Sequence, residues 1–326
     1  MRTQHRIATG MAIVLMLVAA ACGDDGDDGT VTESGQRPEE TTAPADDDGG
    51  GTFPVTVSAD NGEVTIESRP EAIVSISPTG TEMLFAIGAG DQVVAVDEYS
   101  YYPEEAPVTD LSGFQPNVEA IASYEPDLVV LSTDPGDVAD GLERIGIPAI
   151  HLDSAEDLDD TYRQLELLGV ATGNVGSAAE VVSQMQTEID EIVATIPDDL
   201  AERTYFHELD SQLYSVSSDT FIGRVYALLG LRSIGDEAPD DAGNYPQLSE
   251  EFVLDADPDF IFLADAQCCD QSPETVAARP GWDTLTAVEE GRVIVVDEDA
   301  ASRWGPRIVD FLREVADEVL ATADAG

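Results

Sequence analysis

The sequence predicts an α/β chain in which two sets of strands and helices flank one long helical region. Three observations lead there. Short apolar runs alternate with helical stretches through most of the chain, the region from Glu156 to about Ile196 is almost continuous helix, and segments 118–132 and 250–264 echo one another.

Taken in order, residues 1–21 carry Arg2, His5 and Arg6 followed by the apolar run IATGMAIVLMLVAAA, which is too short for a spanning helix and reads as a signal peptide. The run ends in AAAC-Gly23, a sequence that resembles a lipobox with Cys22 at the acylated position, although Ala19 stands where Leu is commoner. Lipidation there would hold the mature protein to the outer face of a membrane. Residues 22–52 then form an acidic Gly, Asp and Thr-rich tether with almost no large apolar side chain, so it has nothing to set against the entropy of folding.

Folded sequence starts at Phe53 with two alternating runs around Asp60-Asn61-Gly62, a hairpin signal. Apolar strands follow at 73–77, 93–97, 127–132 and 149–153, separated by helical stretches such as GTEMLFAIGAG and NVEAIASYE. Such continuous apolar strands suit a parallel sheet covered on both faces. The long helical region breaks near Gly173-Asn174, and a second set follows with strands near 204–209, 260–265 and 292–297 and a final helix from about Arg307 to Leu320. In the internal echo, Glu119, Pro126, Asp127 and Leu131 match Glu251, Pro258, Asp259 and Leu263, which points to duplicated lobes, although shared turn chemistry would give the same pattern.

Composition narrows the function. With 326 residues and 43% hydrophobic content, the chain can build two cores. Its formal charge of −53 excludes nucleic acid as a partner and limits membrane contact to the lipid anchor. All 14 basic residues are Arg, so no lysine chemistry is available. Neither a G-x-S-x-G elbow nor an H-E-x-x-H helix is present, and IGAGDQV sits at a helix end before a strand, the wrong order for dinucleotide binding. Only His151 and His207 remain after signal removal, too few for a metal centre of this kind. The chain therefore reads as a non-enzyme with no cofactor of its own.

The segments RPEAIVSISPTGTEMLFAIGAGDQVVAVDEYSYYP, VEAIASYEPDLVVLS, YPQLSEEFVLDADPDFIFL and ASRWGPR, in this order and spacing, resemble the class III periplasmic binding proteins that serve iron-siderophore, haem and cobalamin importers. The resemblance covers Phe53 to about Leu320. It implies two Rossmann-like α/β lobes (53–170 and 200–322) bridged by one long helix (175–197), with the ligand held in the cleft between them. It also implies a monomer that hands a metal chelate to an ABC permease and its ATPase.

Within that frame, loops at the carboxyl ends of strands supply the cleft, which selects Ser77, Thr79, Tyr99, Tyr101, Tyr102, the segment at Phe114 and Thr133-Asp134. Phe114 and Tyr245 fall where cobalamin-binding relatives carry aromatics, Arg303 where relatives reach the ligand, and Trp304 and Asp299 beside it. Arg307, opening the last helix, reads as structural. Permease docking in the family uses a surface glutamate on each lobe. Glu82 matches one, whereas the other lobe shows Arg224 and Ala227 where a carboxylate is expected. Cys268 and Cys269 are either a vicinal disulfide or two reactive thiols. A ferric siderophore is the first ligand reading because Arg and Tyr suit anionic oxygen-rich chelates. Cobalamin and haem are the alternatives, and an adhesive or structural surface lipoprotein is the alternative from another class.

Overall fold

The structure is a computed structural model that describes residues 51–197, 200, 203–239 and 243–323. The signal segment, Cys22 and the tether lie outside the described residues.

The chain enters through a hairpin, β1 (Val55–Ala59) and β2 (Gly62–Ile66), turned at Asp60-Asn61. The first lobe is a parallel sheet of β3 (Ile73–Ile76), β4 (Val93–Asp97), β5 (Val108–Leu111), β6 (Leu128–Leu131) and β7 (Ala149–His151), in the order β5-β4-β3-β6-β7. Every residue of β3 and β6 is buried. Helices cover the sheet: α1 (Pro78–Ala86), α2 (Val118–Ala122) and α3 (Val138–Glu143). Ser77 starts α1 by accepting a hydrogen bond from the Gly80 amide, with Pro78 in the first turn, where its missing N–H costs nothing.

The long helical region is two helices, α4 (Leu158–Thr172) and α5 (Val175–Val193). The break falls at Gly173, whose φ of 74° is open to glycine and strained for other residues. Asp157 caps the start of α4, and Ala178, Val182, Met185, Ile189 and Ile192 bury one stripe of α5.

The second lobe is a four-stranded parallel sheet of β8 (Thr204–Glu208), β9 (Arg232–Ser233), β10 (Phe260–Leu263) and β11 (Val293–Val295), in the order β11-β10-β8-β9. Its helices are α6 (Phe221–Leu228), α7 (Glu250–Ala256), α8 (Ala266–Cys269), α9 (Pro273–Ala277), α10 (Thr286–Glu289) and α11 (Glu298–Ser302), and α12 (Ile308–Ala323) returns along α5.

Both sheets place their first strand in the interior, the next strand or two to one side (β4 and β5 in the first lobe, β9 in the second) and the last two to the other. The sequence echo marks the same joint in each. The Asp127 carboxylate accepts from the Glu71 and Ala72 amides ahead of β3, at 2.9 and 3.1 Å, and Asp259 accepts from the Thr204 amide at the start of β8, at 2.9 Å. In each lobe an aspartate thus ties the entry of one strand to its central neighbour. In both sheets the order of strand addition reverses beside that interior strand, which is where open parallel α/β sheets leave a crevice at their carboxyl ends.

Candidate functional site: the cleft loops

The loop after β4 carries three of the candidate aromatics. Buried Asp97, the last residue of β4, holds this loop by accepting from the Tyr99 amide and the Ser100 hydroxyl, each at 2.8 Å, and burial raises its carboxyl above the usual range. The side chains it displays stay open to solvent: Tyr99 is 44% exposed, Tyr101 52% and Tyr102 45%. Phe114, after β5, is 72% exposed and meets Tyr99 edge to face at 5.1 Å. In the second lobe Tyr245 is 53% exposed on a segment tied to the chain that leaves β8, through the Ser215 amide to Pro246 oxygen and the Ser217 amide to Asn244 oxygen. Tyr214, on that same chain, is also exposed. Sequence reasoning passed over it, although its place beyond a strand end was readable.

Below these aromatics runs a buried ionic network. Arg303 donates to Glu82 at 2.7 Å, to Asp299 at 2.8 Å and to the Tyr99 carbonyl at 3.2 Å. Arg307 donates to both Glu82 oxygens, at 2.9 and 2.7 Å, and reaches Asp297 at 3.4 Å. Burial alone would lower the Arg307 pKa, but its bonds and charge contact with Glu82 outweigh burial and raise it. Each guanidinium also lies over a ring, Arg303 over Tyr101 at 5.3 Å and Arg307 over Tyr102 at 4.2 Å. The Tyr101 hydroxyl donates to Asp299 at 2.6 Å, a bond that raises its pKa because ionisation would forfeit it.

Several expected roles are corrected by this arrangement. Glu82 is not a surface carboxylate: it is 3% exposed and enclosed by two arginines. Ser77 and Thr79 are 1% and 4% exposed, and the Ser77 oxygen is engaged in capping α1, so neither lies open to a ligand. The indole of Trp304 donates to Gln164 at 2.9 Å. Arg307, read as structural, pairs with Glu82 as Arg303 does. On α6, Arg224 faces Asp157 at 3.7 Å instead of presenting a carboxylate. His207 is fully buried, with Nδ1 against the Tyr226 hydroxyl at 2.9 Å, and burial pushes its pKa down to about 3.

A second buried cluster was missed. Glu208, closing β8, accepts both arms of Arg279 at 2.7 and 2.5 Å. Asp265 lies just beyond β10, fully buried, and neither of its oxygens has a hydrogen-bond partner. Burial and the neighbouring Glu208 carboxylate push its pKa up to about 7. Both residues follow apolar strand runs, a signal the strand-end rule could have used. The next turn carries Cys268 and Cys269, which are joined as a vicinal disulfide. Among the described residues no cluster of three or more His, Cys, Asp or Glu side chains could hold a metal ion. A cavity of about 580 Å³ between β2 and α3 opens at the amino ends of β6 and β7, on the side away from these loops.

Two covered parallel sheets joined through long helices, with exposed aromatics at the strand ends, give a two-lobed α/β architecture. The comparisons agree. Residues 73–300 match the periplasmic binding protein family, and the chain belongs to it, as a substrate-binding protein of ABC transport and not an enzyme. It is 31% identical over 278 residues to an uncharacterized ABC transporter substrate-binding lipoprotein of Bacillus subtilis, covering 82% of this chain and 86% of that one. It is 30% identical over 277 residues to a cobalamin-binding protein of Halobacterium salinarum, covering 81% and 74%. Among solved structures, a possible iron-binding periplasmic solute-binding protein of Staphylococcus epidermidis superposes with a TM-score of 0.66 at 25% identity, covering 77% of this chain and 99% of that one.

Proposed function

We propose that the chain captures a planar metal chelate of the corrinoid type, with cobalamin as the representative, and presents it to the permease and ATPase of an importer. The observation behind this is the set of exposed rings at the strand ends: Tyr99, Tyr101, Tyr102 and Phe114 on one lobe, Tyr214 and Tyr245 on the other. Solvent-exposed rings in such number need a large, flat, partly apolar partner. Charge favours a corrinoid over an anionic siderophore. The positive charges of Arg303 and Arg307 are already met by Glu82, Asp297 and Asp299, so an acidic cargo finds no free cation there. The cobalamin-binding relative supports the same choice.

A ferric siderophore is the second reading, favoured by the iron-binding description of the Staphylococcus epidermidis protein. We also propose that Cys22 is lipidated and anchors the protein outside the membrane, as the lipoprotein name of the Bacillus subtilis relative suggests. Direct binding of cyanocobalamin, haemin, a ferric catecholate and a ferric hydroxamate tests the cargo. The corrinoid alone should quench the tyrosine and tryptophan fluorescence, and binding of an anionic ferric chelate in its place would overturn the choice.

A further inference from the structure

Arg303 and Arg307 follow β11 in the second lobe, yet four of their six side-chain hydrogen bonds and both of their ring contacts run to the first. Glu82 sits on α1, Tyr99 supplies its carbonyl, and Tyr101 and Tyr102 supply their rings. The Tyr101 hydroxyl crosses in the opposite direction to Asp299. Three residues of the aromatic loop are therefore each held by a side chain of the other lobe, and the contacts converge on one buried carboxylate. The side chains of Arg303 and Glu82 are only 9% and 2% exposed, so solvent screening of this pair is weak.

We propose that Arg303 and Arg307 are positioning residues: with Glu82 they form an inter-lobe clasp that sets the Tyr99–Tyr102 loop in place, so that cargo affinity follows clasp closure. This rests on the cargo-binding reading above. The clasp acts through the loop and not by gripping cargo. The Glu82 carboxylate occupies one arm of Arg303 and two nitrogens of Arg307, and each ring that stacks on a guanidinium still exposes about half of its surface. Because Glu82 holds both arginines, losing its charge loosens both rings together, and the lobes lose their shared buried ion pair at the same moment. Truncation to alanine would remove the charge, the side-chain volume and every acceptor between the two arginines, whereas Glu82→Gln removes the charge but keeps the shape and one acceptor oxygen.

Spin labels on Glu143→Cys and Glu289→Cys, exposed positions in the two lobes, report the inter-lobe distance in the cargo-free protein under non-reducing conditions. The background protein should give one narrow distance, and Glu82→Gln a broad distribution reaching longer values. If the closed fraction falls from about 0.9 to about 0.1, the apparent affinity for cyanocobalamin weakens about ninefold. Arg307→Lys, which keeps a charge but loses the fork, should fall between the two in both readouts. An unchanged distance distribution in Glu82→Gln overturns the clasp, and so does weaker binding without any change in distance, because the arginines would then be touching cargo directly. Should the parent protein bind no chelate, the cargo reading falls, while the cargo-free distances still uphold or overturn the clasp.

Discussion

Replacing Asp265 by Asn should stabilise the protein, and by an amount that depends on pH. Asp265 is fully buried without a hydrogen-bond partner, beside the Glu208 carboxylate, and its pKa rises from 3.8 to about 7. Between those values the folded protein binds a proton more tightly than the unfolded chain, so this group's contribution to stability falls as pH rises and levels off above 7. About three pKa units at about 1.4 kcal/mol each set a ceiling near 4 kcal/mol at pH 8.5, against about 1 kcal/mol at pH 4.5. Asn stays neutral throughout, so the penalty of ionising a buried carboxyl disappears. Urea denaturation of both proteins at the two pH values provides the measurement. Comparing them with each other removes the general repulsion of a chain with a formal charge of −53, which both share. An advantage for Asp265→Asn that shrinks by about 3 kcal/mol on acidification supports the buried acid pair. Equal differences at pH 4.5 and 8.5 would refute it.

Other sites give simpler tests. A Cβ at Gly223 would lie 2.1 Å from the Ser217 carbonyl oxygen and 2.7 Å from the Ser218 Cα, so Gly223→Ala should destabilise α6 by about 3 kcal/mol or more, read from thermal unfolding. The Cys268–Cys269 disulfide closes a loop with a sequence separation of 1 and so removes little chain entropy; reduction should move the melting temperature by less than about 2 °C, as checked by scanning calorimetry with and without a phosphine reductant. Removing the Trp304 hydrogen bond to Gln164 by Trp304→Phe should cost about 1 kcal/mol in the same unfolding assay.

The fold was legible because its determinants are local or repetitive. Runs such as IVSIS, LVVLS and FIFLA stay apolar on both faces, which a parallel sheet buried on both sides requires, and Gly173 punctuates the helical region at the one residue whose φ is positive. The echo around Asp127 and Asp259 was also readable, because the same carboxylate-to-amide joint recurs in both lobes.

The site was legible only in part. Exposed rings could be placed from the strand-end rule, since a loop beyond a buried strand has to surface. The fate of a charge depends on what folds against it, and that is long-range. Glu82 and Arg307 are 225 positions apart, and nothing in the local sequence of either announces the other. A surface carboxylate was therefore expected at position 82, where the structure buries an ion pair. Asp265 shows the same difficulty, because its neighbour Glu208 closes a different strand, 57 positions earlier, and neither local pattern reveals that the two carboxyl groups meet.

Calorimetric titration of the mature protein with cyanocobalamin, alongside Phe114→Ala and Tyr245→Ala, tests the central claim most directly. The account predicts saturable one-to-one binding that each substitution weakens by about tenfold or more, about 1.4 kcal/mol, with melting temperatures unchanged because both rings face solvent. Undiminished binding in both variants, or no heat with cyanocobalamin at all, would contradict it.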